Sequence, residues 1–234
     1  NPQIERIKLK RERKWDMNKE WSELNKTMQA QIKKKDTYKM GIDTLFNLRR
    51  QLMQTLVSFK EDLCREDFNA IPFINADGYH SKTIAYSIWH IFRIEDIVAH
   101  TVITEDEQVF FTGNYQVRIN SPIITTGNEL VKQQIADFSK QLNLEELYSY
   151  IFEVRESTEK ILERFSYDEL KWKIPDERKG YLKSLNVVNC DEKAIWLIDY
   201  WCSKDIRGLI QMPFSRHWIM HTEACLRIKN KMHS

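Results

Sequence analysis

Near the C-terminal end of this chain the run PFSRHWIMHTEACLRI sets His217 and His221 four residues apart. On an α-helix that spacing stacks two imidazoles on one face, where they can grip a single metal ion. At about 100° per residue, Phe214, Ala224, Cys225 and Ile228 fall within about 80° of the pair, so both histidines sit on the apolar stripe and face a core. A neutral imidazole placed there needs a partner for each ring nitrogen. A metal at one nitrogen and a hydrogen-bond acceptor at the other supply both. With six histidines in the chain, this spacing also arises by chance, and buried histidines that merely bond a carbonyl are common, so a third ligand has to be found.

His90 supplies it. The segment SKTIAYSIWHIFRIEDIVAH reads as a helix capped by Ser81, with Ile84, Ile88, Ile91, Phe92, Ile94, Ile97 and Val98 on one broad face. His90 lies between Ile94 and Ile97 on that wheel and points inward. Three imidazoles on one ion typically leave a coordination position open, which means chemistry rather than scaffolding. Glu95 falls in the same apolar arc, where an unpaired carboxylate is expensive. It pairs with an inward arginine, orients a ligating histidine, or acts as a general base and so as a catalytic residue. Asp96 falls on the polar side and reads as solvated. His80, His100 and His233 read as surface or structural residues, and Cys225, one turn beyond His221, as a small buried hydrophobe or an alternative ligand.

These side chains must be positioned by helices, because the chain is helical almost throughout. The segment MGIDTLFNLRRQLMQTLVSFKEDL places Leu45, Leu48, Leu52, Leu56, Phe59 and Leu63 at three- and four-residue steps. DFNAIPFINADGYH then reads as a loop before the His90 helix, which runs towards residue 104. Residues 101–142 lose the period and suit a lid or wall over a site, with a shorter helix near 128–141. Asn143 caps a helix with Leu144, Leu147, Ile151, Val154, Thr158, Ile161 and Phe165 inward. A second irregular stretch, 166–190, precedes a helix opened by Asp191. Pro213 separates that helix from the last one, whose start Pro213 or Ser215 marks. On the last helix Ile219 and Leu226 form a second apolar strip, expected to pack against residues 191–212. The expected architecture is all-α: a four-helix bundle at 37–234, with an extra N-terminal helix and two long irregular insertions.

Composition narrows the class. A chain of 234 residues, 42% hydrophobic, with seven Trp, eleven Phe and nine Tyr, builds a substantial core. It contains no apolar run long enough for a membrane span and no secretory-type leader. Cys64, Cys190, Cys202 and Cys225 show no C-x-x-C spacing, which favours a reducing, cytoplasmic setting. The net charge of +2 hides an asymmetry, because residues 1–35 carry eleven Lys and Arg against five Asp and Glu. Residues 1–36 therefore read as a basic helical arm, with Trp21, Leu24, Met28 and Ile32 at helical spacing behind IKLKRERK. No zinc-finger, helix-turn-helix or aromatic-basic strand pattern accompanies the arm, so nucleic acid is disfavoured as a partner.

One histidine in the second bundle helix, followed over a hundred residues later by H-x-x-x-H in the last, resembles the DinB-like, or YfiT-like, superfamily of metal-dependent hydrolases. The resemblance spans roughly residues 37–232 and is carried most specifically by SIWHIFRIEDIVAH and MPFSRHWIMH. It implies a four-helix bundle in up-down-down-up order, a divalent metal, commonly nickel or zinc, on His90, His217 and His221, and chains that often form homodimers. Some members transfer low-molecular-weight thiols such as bacillithiol, and others use mycothiol in isomerisation. The expectation is a metal-dependent enzyme that activates a thiol or water against a small-molecule substrate, a thiol S-transferase or hydrolase in type. The alternative is a non-enzymatic binding or regulatory helical protein with structural histidines, whose basic arm contacts nucleic acid or a protein partner.

Overall fold

The computed structural model describes residues 18–233, so IKLKRERK and the rest of 1–17, including the start of the basic arm, lie outside the described residues. Among the described residues the chain is all helical, with no strand and one isolated antiparallel bridge between Lys173 and Asp205. The architecture rests on α1 (18–31), α2 (Tyr38–Asp62), α3 (Ile84–Asp96), α4 (Leu144–Glu163), α5 (Glu192–Cys202) and α6 (His217–Met232). Helix α3 packs against α4 and α6, and α2 packs against the same two. No helix among the described residues is long and apolar enough to cross a membrane.

Each long helix follows from its apolar period. Along α2, Leu45, Leu48, Leu52, Leu56 and Phe59 are buried, and Leu63 is the half-buried C-cap in extended backbone. Asn143 caps α4, its side chain accepting from the Glu146 amide at 3.3 Å, and Leu147, Ile151, Val154, Thr158 and Ile161 are buried along it. Asp191 caps α5 by accepting from the Lys193 amide at 2.8 Å. Trp21, Met28 and Ile32 of the N-terminal segment are buried in the core that the later helices build. Gly41 permits that docking, because a Cβ there would lie 2.5 Å from Ile32 Cγ2 and 2.8 Å from the Ile32 amide nitrogen.

Several local expectations give way to tertiary packing. The cap of α3 is Thr83, not Ser81: Thr83 Oγ1 accepts from the Tyr86 amide at 3.0 Å, while the Ser81 hydroxyl donates to the Gly78 carbonyl. Nor does α3 have a solvated face, since all of Ile84–Asp96 is buried. Asp96 accepts from the amides of Val109 and Phe110 at 2.9 and 2.8 Å and from the Tyr150 hydroxyl at 2.8 Å. The 101–142 connection folds back over α3 and encloses the side that a wheel alone assigns to solvent. Beyond Asp96 the helix widens into a π-helical stretch, Ile97–Thr104.

Pro213 does not interrupt the chain either. It lies in a π-helical segment, Met212–Arg216, that runs directly into α6. Ser215 is not a cap, because its hydroxyl donates to the Ile210 carbonyl at 2.7 Å. Ile219 and Leu226 belong to the core cluster that contains Trp21, rather than the one holding most of 191–212. The stretches read as irregular hold short helices, Arg65–Asn69, Val109–Thr112, Tyr115–Ile119 and Glu177–Leu185, and the helix expected near 128–141 is confined to Gln133–Gln141. Most of these are too brief for a 3.6-residue period to register.

Candidate metal centre

Helix α3 carries His90 inward, and α6 carries His217 and His221 one turn apart on the face that meets it. The three rings converge: a ligand atom can be chosen on each so that all lie within 4.8 Å of one another. Their solvent exposures are 5%, 7% and 4%. Ring centroids are separated by 5.0 Å for His90 and His217, 4.8 Å for His90 and His221, and 4.6 Å for His217 and His221. Imidazoles that each hold one ion at about 2.1 Å, with angles between a right angle and a tetrahedral one, have centroids roughly 4.6–5.3 Å apart. The donor set therefore fits a divalent cation in both type and spacing.

Protonation agrees. Burial pushes the His90 imidazolium down to about 4, with the Thr126 carbonyl opposing and the Lys82 charge assisting. Burial, reinforced by neighbouring rings, holds His217 and His221 well below the ordinary histidine value. All three are neutral near pH 7, the form in which imidazole ligates. His90 Nδ1 lies 2.7 Å from the Thr126 carbonyl, and because a carbonyl only accepts, Nδ1 carries the proton and Nε2 keeps the lone pair. Nδ1 of His217 and Nδ1 of His221 are buried without a hydrogen-bond partner among the described residues. Such orphaned nitrogens cost on the order of 1–3 kcal/mol each, a cost expected of rings held ready for a ligand rather than of a self-satisfied polar cluster.

Beneath the rings a buried ionic network fixes the helices relative to one another. Arg49 of α2 donates to both oxygens of Glu95, at 2.9 and 2.7 Å, to the Phe214 carbonyl at 3.0 Å and to Glu159 of α4 at 3.1 Å. Trp218 Nε1 donates to Glu95 at 2.7 Å, and the guanidinium lies 4.3 Å from the Trp218 ring centroid. Of the alternatives open to Glu95, an inward arginine is what faces it, and its hydrogen-bond partners are Arg49 and Trp218 rather than a histidine. The network holds the chain on both sides of His217, through Phe214 and Trp218.

A cleft of about 370 Å³ opens over the rings. Tyr86 stacks on His90 with centroids 5.3 Å apart and planes 14° from parallel, and Trp196, Tyr200 and Trp201 also line the cleft. Cys225 lies outside the ligand group, and burial raises its thiol to about 12. The remaining histidines are elsewhere. His80 bonds Arg227 and His233 bonds Asp67. His100 is buried and structural, one of the two roles expected for it, bridging Asp106 at 2.6 Å and Ser157 at 2.9 Å. This Ser–His–Asp chain ties the end of the π-helical stretch to α4. Ser157 lies mid-helix, where backbone amides are committed to the helix and offer no oxyanion donors.

Sequence reasoning missed Arg49, although its signal was present: it occupies the apolar stripe of α2, between Leu45, Leu52 and Leu56. Thr126 had no side-chain signal, since its contribution is a backbone carbonyl. Comparison of the chain with protein-family models and with curated proteins finds no match in either set.

Proposed function

We propose that this chain is a metal-dependent enzyme of the DinB-like kind, in which His90, His217 and His221 hold a divalent ion, nickel or zinc, at the base of the cleft. The observation that carries the reading is the convergence of three buried, neutral imidazoles beneath a cleft large enough for a small molecule. When bound, such an ion lowers the pKa of a water or a low-molecular-weight thiol and so supplies a nucleophile at neutral pH. The reaction class that follows is thiol transfer or hydrolysis on a small-molecule substrate. On this reading α2, α3, α4 and α6 form the four-helix bundle of that superfamily, supported by the mutual packing of these four helices.

The residues of the chain then have distinct tasks. His90 holds its tautomer through the Thr126 carbonyl. Arg49, Glu95 and Trp218 are positioning residues that fix where α6 presents its two rings. Trp196, Tyr200 and Trp201 exclude water from one side of the cleft and receive the apolar part of a substrate.

Metal analysis tests the proposal. Protein purified without an affinity tag, offered nickel and zinc and then desalted, is expected to retain about one equivalent, and the His90→Ala, His217→Ala and His221→Ala variants less than about a tenth. Retention below about a tenth of an equivalent by the unaltered chain would sink the reading.

A further inference from the structure

Among the described residues that line the cleft above the neutral histidines, one side chain is charged, and it is a cation. Lys82 lines the wall beside Tyr86 just before α3, and among the described residues no carboxylate lines the cleft. Its ammonium lies 5.2 Å from the Tyr86 ring centroid, and that ring stacks on His90 with centroids 5.3 Å apart, so Tyr86 is a neighbour of both the charge and the histidine group. Lys82 is half-buried and forms no hydrogen bond or ion pair with a described residue. Its pKa lies below the ordinary lysine value through burial alone, with no acidic neighbour acting on it. A surface lysine with nothing to bind turns its head to water; this one is held at a cleft wall with the charge uncompensated.

A second donor lies in the same wall. Asn128 accepts from the Thr126 hydroxyl at 2.7 Å through Oδ1, and its NH2 group has no acceptor among the described residues. Trp196, which also lines the cleft, is 49% exposed, an unusual position for a tryptophan that closes no core, and Tyr200 and Trp201 line the cleft with it. The cleft thus combines a cation and an amide donor with an aromatic lining.

We propose that Lys82 is the anion-recognition residue of this cleft, and that the ligand class is an organic carboxylate with an aromatic or other apolar body lying against Trp196, Tyr200 and Trp201. One ammonium and one amide suit a singly charged carboxylate. Among the described residues no arginine lines the cleft, so the bidentate fork that favours a phosphate dianion is missing there. The inference names the substrate class of the site proposed above and rests on that site being the functional one, but the contacts of Lys82 do not require the ion.

The test uses a matched pair of probes, 1-naphthylacetate and its neutral analogue 1-naphthylacetamide, titrated calorimetrically into the 234-residue chain after EDTA treatment. The unaltered protein is expected to bind the carboxylate roughly tenfold more tightly than the amide. Lys82→Met brings the ratio close to one while leaving the amide's affinity unchanged, and Lys82→Arg keeps the preference. The unchanged amide affinity also shows that the Met variant is folded at the cleft. Equal binding of the two probes by the unaltered chain, a preference that survives in Lys82→Met, or no binding of either probe overturns the proposal. Because the ion is stripped, no metal contributes to the ratio, and its change between the unaltered chain and Lys82→Met reports the share of Lys82. Metal retention by the unaltered chain and by Lys82→Met, measured separately, is expected to be the same, so a failure of the metal reading shows there and not in the probe ratio.

Discussion

Nδ1 of His90 donates to the backbone carbonyl of Thr126 across 2.7 Å, joining α3 to a connection thirty-six residues further along the chain. This bond fixes the ring's tautomer and its orientation together. A carbonyl partner cannot be deleted by mutating Thr126, but it can be displaced. Gly127 has φ +77°, a left-handed conformation, and a Cβ there would stand 3.0 Å from Cε2 of Tyr86.

Gly127→Ala is therefore expected to shift the turn that presents the carbonyl, at a cost of about 1–3 kcal/mol in stability. Weakening an outer-shell partner of a ligating histidine lowers metal affinity about 10–100-fold. Competition with a chromogenic chelator measures the affinity. Unchanged affinity in a destabilised variant would show that the carbonyl does not orient His90.

The Arg49–Glu95 pair is wholly buried, so removing one partner strands the other. Glu95→Gln and Arg49→Met are each expected to destabilise the chain by about 3–5 kcal/mol in urea unfolding. The double variant should lose less than the sum of the singles, because neither charge is left alone. Additive losses in the cycle would show that the two residues are not coupled.

Stability without metal should depend on pH through the three rings. Their folded pKa values lie below the unfolded value of about 6.5, so above that pH neither state binds their protons and the full stabilisation is present. As pH falls from there, the unfolded chain takes up protons that the folded chain refuses. Stability then declines until the folded values are reached, about 4 for His90 and well below 6.5 for the others. The slope is about 1 kcal/mol per pH unit for each ring. Asp96 and Glu223, both raised by burial, push the other way, so the histidine share is read as the difference between the unaltered chain and His217→Gln. Urea midpoints in EDTA at pH 7 and pH 5 measure it, and a difference of zero would overturn the assignment.

The sequence by itself determined the helical class and the three histidines. Both signals are local or periodic: leucines at three- and four-residue steps mark α2 and α4, and His217 and His221 share a face because a helix turns every 3.6 residues. Tertiary structure alone decided what each polar group meets. Asp96 looked solvated because a wheel registers only its own helix, and the connection that covers it comes from later in the chain. The partner of His90 is a main-chain oxygen, which every residue possesses and no residue advertises. The convergence of His90 with rings more than a hundred residues away depends on how α3 settles against α6. That packing is set by the summed fit of many buried side chains and the Arg49–Glu95 network, not by any short run of sequence.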